Sequence, residues 1–454
     1  MSRGSTRLEV SANGNKVIST DSFRILIYAQ VGFGTGMSLI IKDVQVETIQ
    51  STTEWTFVRI YADDTYGTGE ATAAPGLKAS ELAIKKLLVG EDAFKLNRIE
   101  EKLRHATLFA GSGIYPLLSG VNIALYDLLG KHLNLPVWRL LGGDRQEIRV
   151  YVDLHAGEEF GATNALLTPV KLDSTGKRGV KGEAGLSDHP VMGRLAKEEF
   201  GELFTPEAYS RAAKKAVKEG YQRIKFDLDI PTPYTEPFNK RSGQVTLKEA
   251  DYMAEFVRSV RGTIGDDIEL MVDLHWRYDL NSSLRICKGL EPFRLHWVED
   301  LTPATRSVGN LDELAVLTSL CPIPIATGEN LYTVYEFKDL LNVGVRIWTP
   351  DLCKAGGITE GRRIAELAAM YDIEVSPHNV TTPIGTVANA HAASVSNTFG
   401  ALEFHSHGFE FWYEMIKSKR SPIERGFIKL GEEPGLGVEL DEKVMKRYWP
   451  DFEL

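Results

Sequence analysis

From residue 148 to residue 403 the chain alternates short strand-like segments with helix-length segments, and this alternation restricts the fold more than any other feature. The strand-like segments, eight in number, are rich in β-branched and aromatic residues; they begin with IRVYVD and end with GALEFH. Strands that alternate with helices form parallel sheets, and eight such units close into a barrel. The sequence therefore predicts an α/β fold built around a parallel barrel.

The residues before this barrel follow two other patterns. Residues 38–74 resemble three strands separated by turn residues, and helical periodicity replaces the strand pattern over 78–142. Ser119 precedes the apolar repeat of one of these helices and is a candidate N-cap. We therefore expect an α+β domain over 37–147, preceded by an extension of unknown role over 1–36, and a C-terminal tail over 404–454.

The bulk composition narrows the functional classes. The chain carries 52 Lys and Arg against 62 Asp and Glu, a formal net charge of −10. A net negative charge disfavours nucleic acid and anionic membrane surfaces as partners, and no apolar run of membrane-spanning length occurs. The three cysteines (Cys287, Cys321 and Cys353) form no CxxC pair, which predicts a reducing, cytoplasmic compartment rather than a disulfide scaffold.

Two connections are longer than a strand-to-helix loop requires. Residues 156–204 and 230–246 both follow a predicted strand, so both would lie over the C-terminal face of the barrel. They are either tolerated surface insertions or loops that close over a ligand, and the sequence leaves both interpretations open.

Polar residues stand at the carboxyl ends of the predicted strands. They are Lys225, Asp227, Asp273, His275, Glu299, Asp300, Glu329, Asp351, His378 and Glu403. From Asp273 onward, successive strand ends are separated by 26, 30, 22, 27 and 25 residues, each about one strand plus one helix. Because the strand ends of a parallel barrel meet at one mouth, we expect these side chains to converge there.

Three carboxylates in this set predict a metal site. Asp273, Glu299 and Glu329 come from adjacent strands, and oxygen donors without cysteine favour Mg²⁺, with Mn²⁺ as a substitute. Each acid alone would be interpreted as a helix cap or an ion pair, but three in register favour a metal. Asp300 follows Glu299 directly, so the two side chains point in opposite directions and we expect Asp300 to support the site from behind.

The next two strands predict a general base. An aspartate hydrogen-bonded to one ring nitrogen of a histidine orients the ring and raises its basicity, and Asp351 and His378 suit these roles. Glu403, if protonated, could donate a hydrogen bond to a developing oxyanion. Lys225 is an alternative charge donor from the opposite side of the mouth.

Together the motifs resemble those of the enolase superfamily, specifically the mandelate racemase-like subgroup and its galactonate- and mannonate-type acid sugar dehydratases. The resemblance is carried by SGVNIALYDLLGKHLNLPVWRLLGG, VDLH, WVED, TGEN, PDLCKAGGITEGRRIA, SPHN and EEPGLGVELD. It implies a modified TIM barrel, (β/α)7β, with an α+β capping domain formed by the N-terminal region and the C-terminal tail.

The resemblance also implies residue roles. Mg²⁺ would be held by Asp273, Glu299 and Glu329, and His378, paired with Asp351, would remove the proton α to a substrate carboxylate. The metal and Lys225 would stabilise the enediolate, and Glu403 would donate a hydrogen bond to it. We expect Asp227, Asp300 and Asn379 beside the substrate or behind the ligands.

Departures from the racemase pattern decide the predicted reaction. Racemases of this subgroup carry Lys-x-Lys on the second strand, whereas here the motif is Lys225-Phe226-Asp227, so a second base is missing. In contrast, Asp273-Leu274-His275 is similar to the dehydratases, in which this histidine protonates the departing hydroxyl. We therefore predict β-elimination of water from a sugar acid, which gives a 2-keto-3-deoxy sugar acid.

Two alternatives stay open. One is a racemase or epimerase of hydroxy acids or sugar acids on the same scaffold, and the other is a catalytically silent relative that binds a sugar acid. The predicted partner is in each case a small molecule. The family tends towards symmetric oligomers, so we also predict a homo-oligomer.

Overall fold

The computed structural model describes residues 7–10, 16–20, 23–26, 38–50, 54–72, 76–110, 112–154, 205–230, 232–234, 243–305, 309–408, 410–418 and 421–454. The chain divides into two compact units, Met1–Ser38 and Leu39–Leu454. The insertion predicted at 156–204 lies outside the described residues, as does much of the one at 230–246.

The first unit contains a small antiparallel sheet that the sequence did not predict. Its strands pair in chain order and are β1 (Arg7–Val10), β2 (Lys16–Thr20) and β3 (Phe23–Leu26). The role of this segment stays unknown.

The second unit begins with a three-stranded antiparallel meander followed by helices. The elements are β4 (Ile41–Gln50), β5 (Glu54–Ala62), β6 (Thr65–Thr72), α1 (Glu81–Leu88), α2 (Leu96–Ala110), α3 (Tyr115–Leu133) and α4 (Val137–Leu141). Helix α3 packs directly on β6, where a Cβ on Gly67 or Gly69 would lie 2.0 Å from a helix carbonyl oxygen. Only glycine permits this approach.

Helix α3 starts earlier than the sequence predicted. It begins at Tyr115, four residues before the expected N-cap Ser119, whose hydroxyl instead donates a hydrogen bond to Tyr115 O inside the helix at 3.0 Å. Pro116 occupies the first turn, where its missing N–H costs nothing, and this explains the earlier start.

The barrel predicted from the alternating pattern is confirmed. Its strands are β7 (Glu147–Leu154), β8 (Arg223–Asp227), β9 (Glu269–Asp273), β10 (Trp297–Glu299), β11 (Ile325–Thr327), β12 (Ile347–Trp348), β13 (Glu374–Val375) and β14 (Leu402–Phe404). Neighbours along the chain pair in parallel, and β14 pairs with β7. A parallel bridge from Val375 to Phe399 completes the closure.

Helices cover the outside of the barrel between successive strands. They are α5 (Pro206–Glu219), α6 (Leu247–Ile264), α7 (Leu280–Leu290), α8 (Leu311–Leu320), α9 (Thr333–Leu340), α10 (Leu352–Ala355), α11 (Gly357–Ala369) and α12 (Pro383–Ala393). Within the described ranges, no helix combines the length and the apolar character needed to cross a membrane.

Alternating side chains divide the barrel strands between two apolar layers. One layer faces the surrounding helices; the other fills the interior with Tyr151, Met271, Trp297, Ala326, Ile347 and Ala401. Tyr151 and Trp297 meet edge to face, with ring centroids 5.6 Å apart. The interior is therefore packed, and polar residues at the strand ends lie above an apolar floor.

The tail after the barrel contacts both the barrel and the N-terminal meander. Its elements are α13 (Glu410–Glu414), β15 (Ile423–Glu424), β16 (Phe427–Lys429) and α14 (Glu442–Tyr448), and β16 pairs antiparallel with β7. Asp127 on α3 accepts the backbone N–H of Leu436 at 2.8 Å, and Arg59 on β5 pairs with Glu442 at 2.9 Å. The domain boundaries at 36/37, 147/148 and 403/404 stay a prediction.

Candidate active site

Six consecutive barrel strands bring buried polar side chains to one mouth. The residues at or just beyond these strand ends are Asp273, Glu299, Glu329, Asp351, His378 and Glu403, and all six are buried. The parallel register places Asp273 directly beside Glu299 and, on its other side, beside Asp227. The convergence expected from the intervals between strand ends is thus present in the fold.

Asp273, Glu299 and Glu329 form a compact cluster of three carboxylates, called the carboxylate cluster below. Each contributes an oxygen that lies within 4.8 Å of the other two. Among the described residues, Glu299 Oε1 has no hydrogen-bond partner although it is buried. Buried oxygen donors at this spacing, one of them unsatisfied, suit a divalent cation, so the three residues could hold one.

Lys225 partly neutralises the negative charge of the carboxylate cluster. Its Nζ lies 3.2 Å from Asp273 Oδ2, 3.1 Å from Glu299 Oε2 and 2.7 Å from Glu403 Oε1. Burial raises the pKa of Glu299 to about 7, a rise that Lys225 opposes and Asp273 reinforces. Lys225 therefore faces three buried carboxylates with a single positive charge, which favours an additional cation.

Asp351 and His378 form a hydrogen-bonded pair. His378 Nδ1 lies 2.9 Å from Asp351 Oδ2, and Asp351 is held in turn as the N-cap of α10 by Cys353 N at 2.8 Å. The other ring nitrogen, Nε2, lies 3.2 Å from Glu329 Oε2 and so faces the carboxylate cluster. Burial lowers the pKa of His378, but Glu329, Glu403 and the bond to Asp351 outweigh it and raise the pKa to about 9.

His275 stands across the barrel from His378. Four of the eight strand-to-strand steps separate β9 from β13, so the two histidines occupy opposite sides of the mouth. The backbone of His275 is in the left-handed region, with φ 41°, and its N–H donates to Asp273 Oδ1 at 2.9 Å. Such a conformation is uncommon for a non-glycine residue and occurs often at functional sites.

Carboxylates surround the imidazole of His275. Nδ1 lies 3.1 Å from Asp229 Oδ1, and Nε2 lies 3.9 Å from Asp227 Oδ1. Burial lowers the pKa of His275, but Asp273, Asp227 and Asp229 together raise it well above its usual value. Sequence reasoning missed Asp229, although its position two residues after Asp227 at the end of the same strand was a usable signal.

The supporting residues occupy distinct positions. Asn379 donates its backbone N–H to Glu403 Oε2 at 2.8 Å, so Glu403 accepts a hydrogen bond here, and its predicted role as a donor stays a prediction. Asp300 lies next to the carboxylate cluster and accepts a hydrogen bond from Thr327 Oγ1.

A second buried lysine was not among the predicted residues. Lys354 Nζ lies 3.9 Å from Glu329 Oε1, 3.9 Å from Asp351 Oδ2 and 3.3 Å from Asn330 Oδ1. Its position three residues after Asp351 in PDLCKAGG links it to the pair, but a lysine in a sequence is usually interpreted as a solvated side chain.

Comparison with known proteins gives consistent matches over the second unit. Residues 41–142 match the family "Mandelate racemase / muconate lactonizing enzyme, N-terminal domain", and residues 208–444 match "Enolase C-terminal domain-like". The chain is 33% identical over 420 residues to a D-xylonate dehydratase of Haloferax volcanii, covering 91% of this chain and 90% of that protein. It is 26% identical over 333 residues to a D-gluconate dehydratase of Thermoproteus tenax, covering 73% of this chain and 56% of that protein.

A solved structure shares the architecture. The mandelate racemase/muconate lactonizing enzyme-like protein from Rubrobacter xylanophilus is 33% identical and gives a TM-score of 0.76. The match covers 91% of this chain and 98% of that structure.

Proposed function

Because the chain belongs to the mandelate racemase/muconate lactonizing enzyme family of the enolase superfamily, we propose that it is an acid sugar dehydratase. The D-xylonate and D-gluconate dehydratases among its relatives support this reaction class. One observation carries the proposal. His275 and His378 stand on opposite sides of the mouth, with the carboxylate cluster between them, and each contacts an aspartate. This arrangement suits one acid and one base.

The carboxylate cluster would hold the cation at the mouth of the barrel. Asp273, Glu299 and Glu329 offer only oxygen donors, which favours Mg²⁺, with Mn²⁺ as a substitute. When bound, the ion would supply Lewis-acid stabilisation of the negative charge that develops on the substrate carboxylate.

His378 would start the reaction. Proton abstraction requires the neutral ring, which becomes more abundant as the pH rises towards the raised pKa of His378. In this form, with Nδ1–H donated to Asp351, the lone pair at Nε2 faces the mouth and can take the proton from C2 of the substrate. The C–H electron pair then moves towards the carboxylate and gives an enediolate. The ammonium group of Lys225 would stabilise this negative charge, and Glu403 would contribute a hydrogen bond when protonated.

His275 would complete the elimination. As an imidazolium, kept charged by Asp227, Asp229 and Asp273, it would donate a proton to the C3 hydroxyl, whose C–O bond breaks to release water. The enol that remains tautomerises to the 2-keto-3-deoxy sugar acid. Epimerisation is disfavoured because the position two residues after Lys225 on β8 holds Asp227 and not a second lysine. The homo-oligomer and the cytoplasmic location stay predictions.

A screen of sugar acids tests the proposal. The full chain would be incubated with Mg²⁺ and a library that includes D-xylonate and D-gluconate, and 2-keto-3-deoxy products would be detected colorimetrically and by mass spectrometry. We expect loss of one water from at least one library member, abolished by EDTA and restored by Mg²⁺. An epimer of unchanged mass, or stoichiometric binding without any product, would favour the corresponding alternative.

A further inference from the structure

A buried carboxylate on a strand of the capping domain is hydrogen-bonded to the loop that follows His378. Glu70 on β6 has no exposed surface, and its oxygens accept hydrogen bonds from Thr382 N at 2.9 Å and from Gly385 N at 2.8 Å. The hydroxyl of Thr382 donates to the same carboxylate. Thr382 is the N-cap of α12 and lies four residues after His378.

Other contacts hold the same loop from the capping domain and from the tail. Trp55 Nε1 on β5 donates to Val380 O at 3.3 Å, and Trp412 Nε1 on α13 donates to Thr381 O at 2.8 Å. Every residue from 378 to 385 is buried. The loop therefore lies between the barrel and the cap, and its backbone has a defined position on each side.

Glu70 differs from these contacts because it carries charge into the interface. A carboxylate removed from water is costly unless donors surround it, so its position and that of its donors are strongly coupled. Burial raises the pKa of Glu70 to about 7, while the bonds from Thr382 and Gly385 oppose that rise. The start of α12, an eleven-residue helix, adds a favourable field for the anion.

We propose that Glu70 is a positioning residue for the catalytic base: by fixing Thr382 and Gly385, it holds the loop that sets the His378 ring against Asp351. This inference rests on the proposed function, since it takes His378 as the base. It gives the cap a part in positioning the catalytic base, in addition to any contact with the substrate.

Substitution of Glu70 tests the inference against a buried carboxylate of the same domain. Glu47 on β4 is also buried, but its carboxylate contacts Lys78 and the backbone of Thr48, both within the cap. Glu70→Gln keeps the shape but turns an amide group towards backbone donors, and Glu70→Asp keeps the charge with a shorter reach. Glu47→Gln is the matched control.

The kinetic readout is the exchange of the C2 proton in D₂O with the sugar acid that the wild type dehydrates. We expect Glu70→Gln to lower kcat for exchange by roughly 10- to 100-fold, with KM and Mg²⁺ affinity nearly unchanged, because a displacement of about 1 Å in a catalytic group costs that much. Glu70→Asp should recover part of the rate, and Glu47→Gln should keep all of it. In a His378→Asn background, Glu70→Gln should cause no further loss, because its effect acts through His378.

A spectroscopic readout is independent of turnover. In protein labelled with ¹⁵N-histidine, the ring signal absent from His378→Asn identifies His378, and this signal should shift in Glu70→Gln but not in Glu47→Gln. An unshifted signal, or a Glu70→Gln loss of equal size in the His378→Asn background, would overturn the inference. If the wild type formed no product from any sugar acid, the proposed function would fail, while the signal of His378 would still decide the role of Glu70.

Discussion

His378 Nδ1 and Asp351 Oδ2 lie 2.9 Å apart at the mouth of the barrel, and both side chains are buried. The contact joins residues 27 positions apart that follow the neighbouring strands β12 and β13, so it depends on the parallel pairing of these two strands and not on local structure. This contact leaves Nε2 as the ring nitrogen that faces the carboxylate cluster, and Nε2 is therefore the atom that can act as a base.

His378→Asn should slow proton abstraction strongly and leave a small residual rate. The amide cannot accept the C2 proton, so we expect the exchange rate in D₂O and the dehydration rate to fall together by about 10²- to 10⁴-fold, the usual contribution of a general base. His407→Asn, which removes a histidine paired with Glu219 outside the mouth, is the control and should keep the wild-type rate. Retention of full exchange by His378→Asn would disprove the base assignment.

His275→Asn should separate the two halves of the reaction. Without the acid, the C3 hydroxyl leaves slowly, but His378 still removes the C2 proton, so we expect C2 deuteration to continue while dehydration falls by about 10²-fold or more. The ratio of deuterated substrate to product, followed by NMR, measures this. Equal losses of exchange and dehydration would show that His275 is needed before water leaves.

Metal affinity should depend on Glu299 and much less on the adjacent Asp300. Glu299→Gln removes one of the three clustered carboxylates, whereas Asp300 accepts a hydrogen bond from Thr327 next to that group. We expect calorimetric titration with Mg²⁺ to give an affinity loss above about 100-fold for Glu299→Gln and a smaller loss, of about 10-fold, for Asp300→Asn. The reverse order would exchange the ligand assignment between the two residues.

Stability should fall between neutral and mildly acidic pH because of a histidine outside the active site. His391 accepts a hydrogen bond from Trp138 N at Nδ1 and contacts Leu436 O through Nε2, so only the neutral ring fits. Burial lowers the pKa of His391 from 6.5 to about 4. Between these values the unfolded chain binds the proton and the native state does not, so stability is lost as pH falls through this window.

The expected contribution of His391 is about 2 kcal/mol between pH 7 and pH 5. Urea unfolding at the two pH values, for the wild type and for His391→Gln, measures it. The free energy of unfolding should fall by about that much more in the wild type than in the variant. Identical pH dependence in both proteins would contradict the assigned tautomer.

The sequence predicted the site well where barrel geometry determines position. Strand ends spaced by one strand and one helix must meet at the mouth, so Asp273, Glu299 and Glu329 could be grouped without a structure. The parallel barrel and the family are confirmed. The chemical roles of the site residues stay predictions.

Contacts between distant segments could not be predicted in the same way. Glu70 reaches Thr382 across 312 residues, and nothing in the spacing of either segment indicates that pairing. Lys354 and Asp229 lie near predicted residues in sequence, but their burial among carboxylates depends on how loops turn after the strands end. The sheet formed by β1, β2 and β3 was also missed, because its strands are only four or five residues long.

Removal of water from a sugar acid after abstraction of its C2 proton can be followed in a single NMR experiment. The wild type with Mg²⁺ would be followed in D₂O with each sugar acid of the screening library in turn, monitoring the C2 proton of the substrate and the C3 signals of the product together. We predict that at least one sugar acid loses its C2 proton and yields a 2-keto-3-deoxy acid in equal amount. Deuterium at C2 with inverted configuration and no loss of water would show that the chain is an epimerase and not a dehydratase.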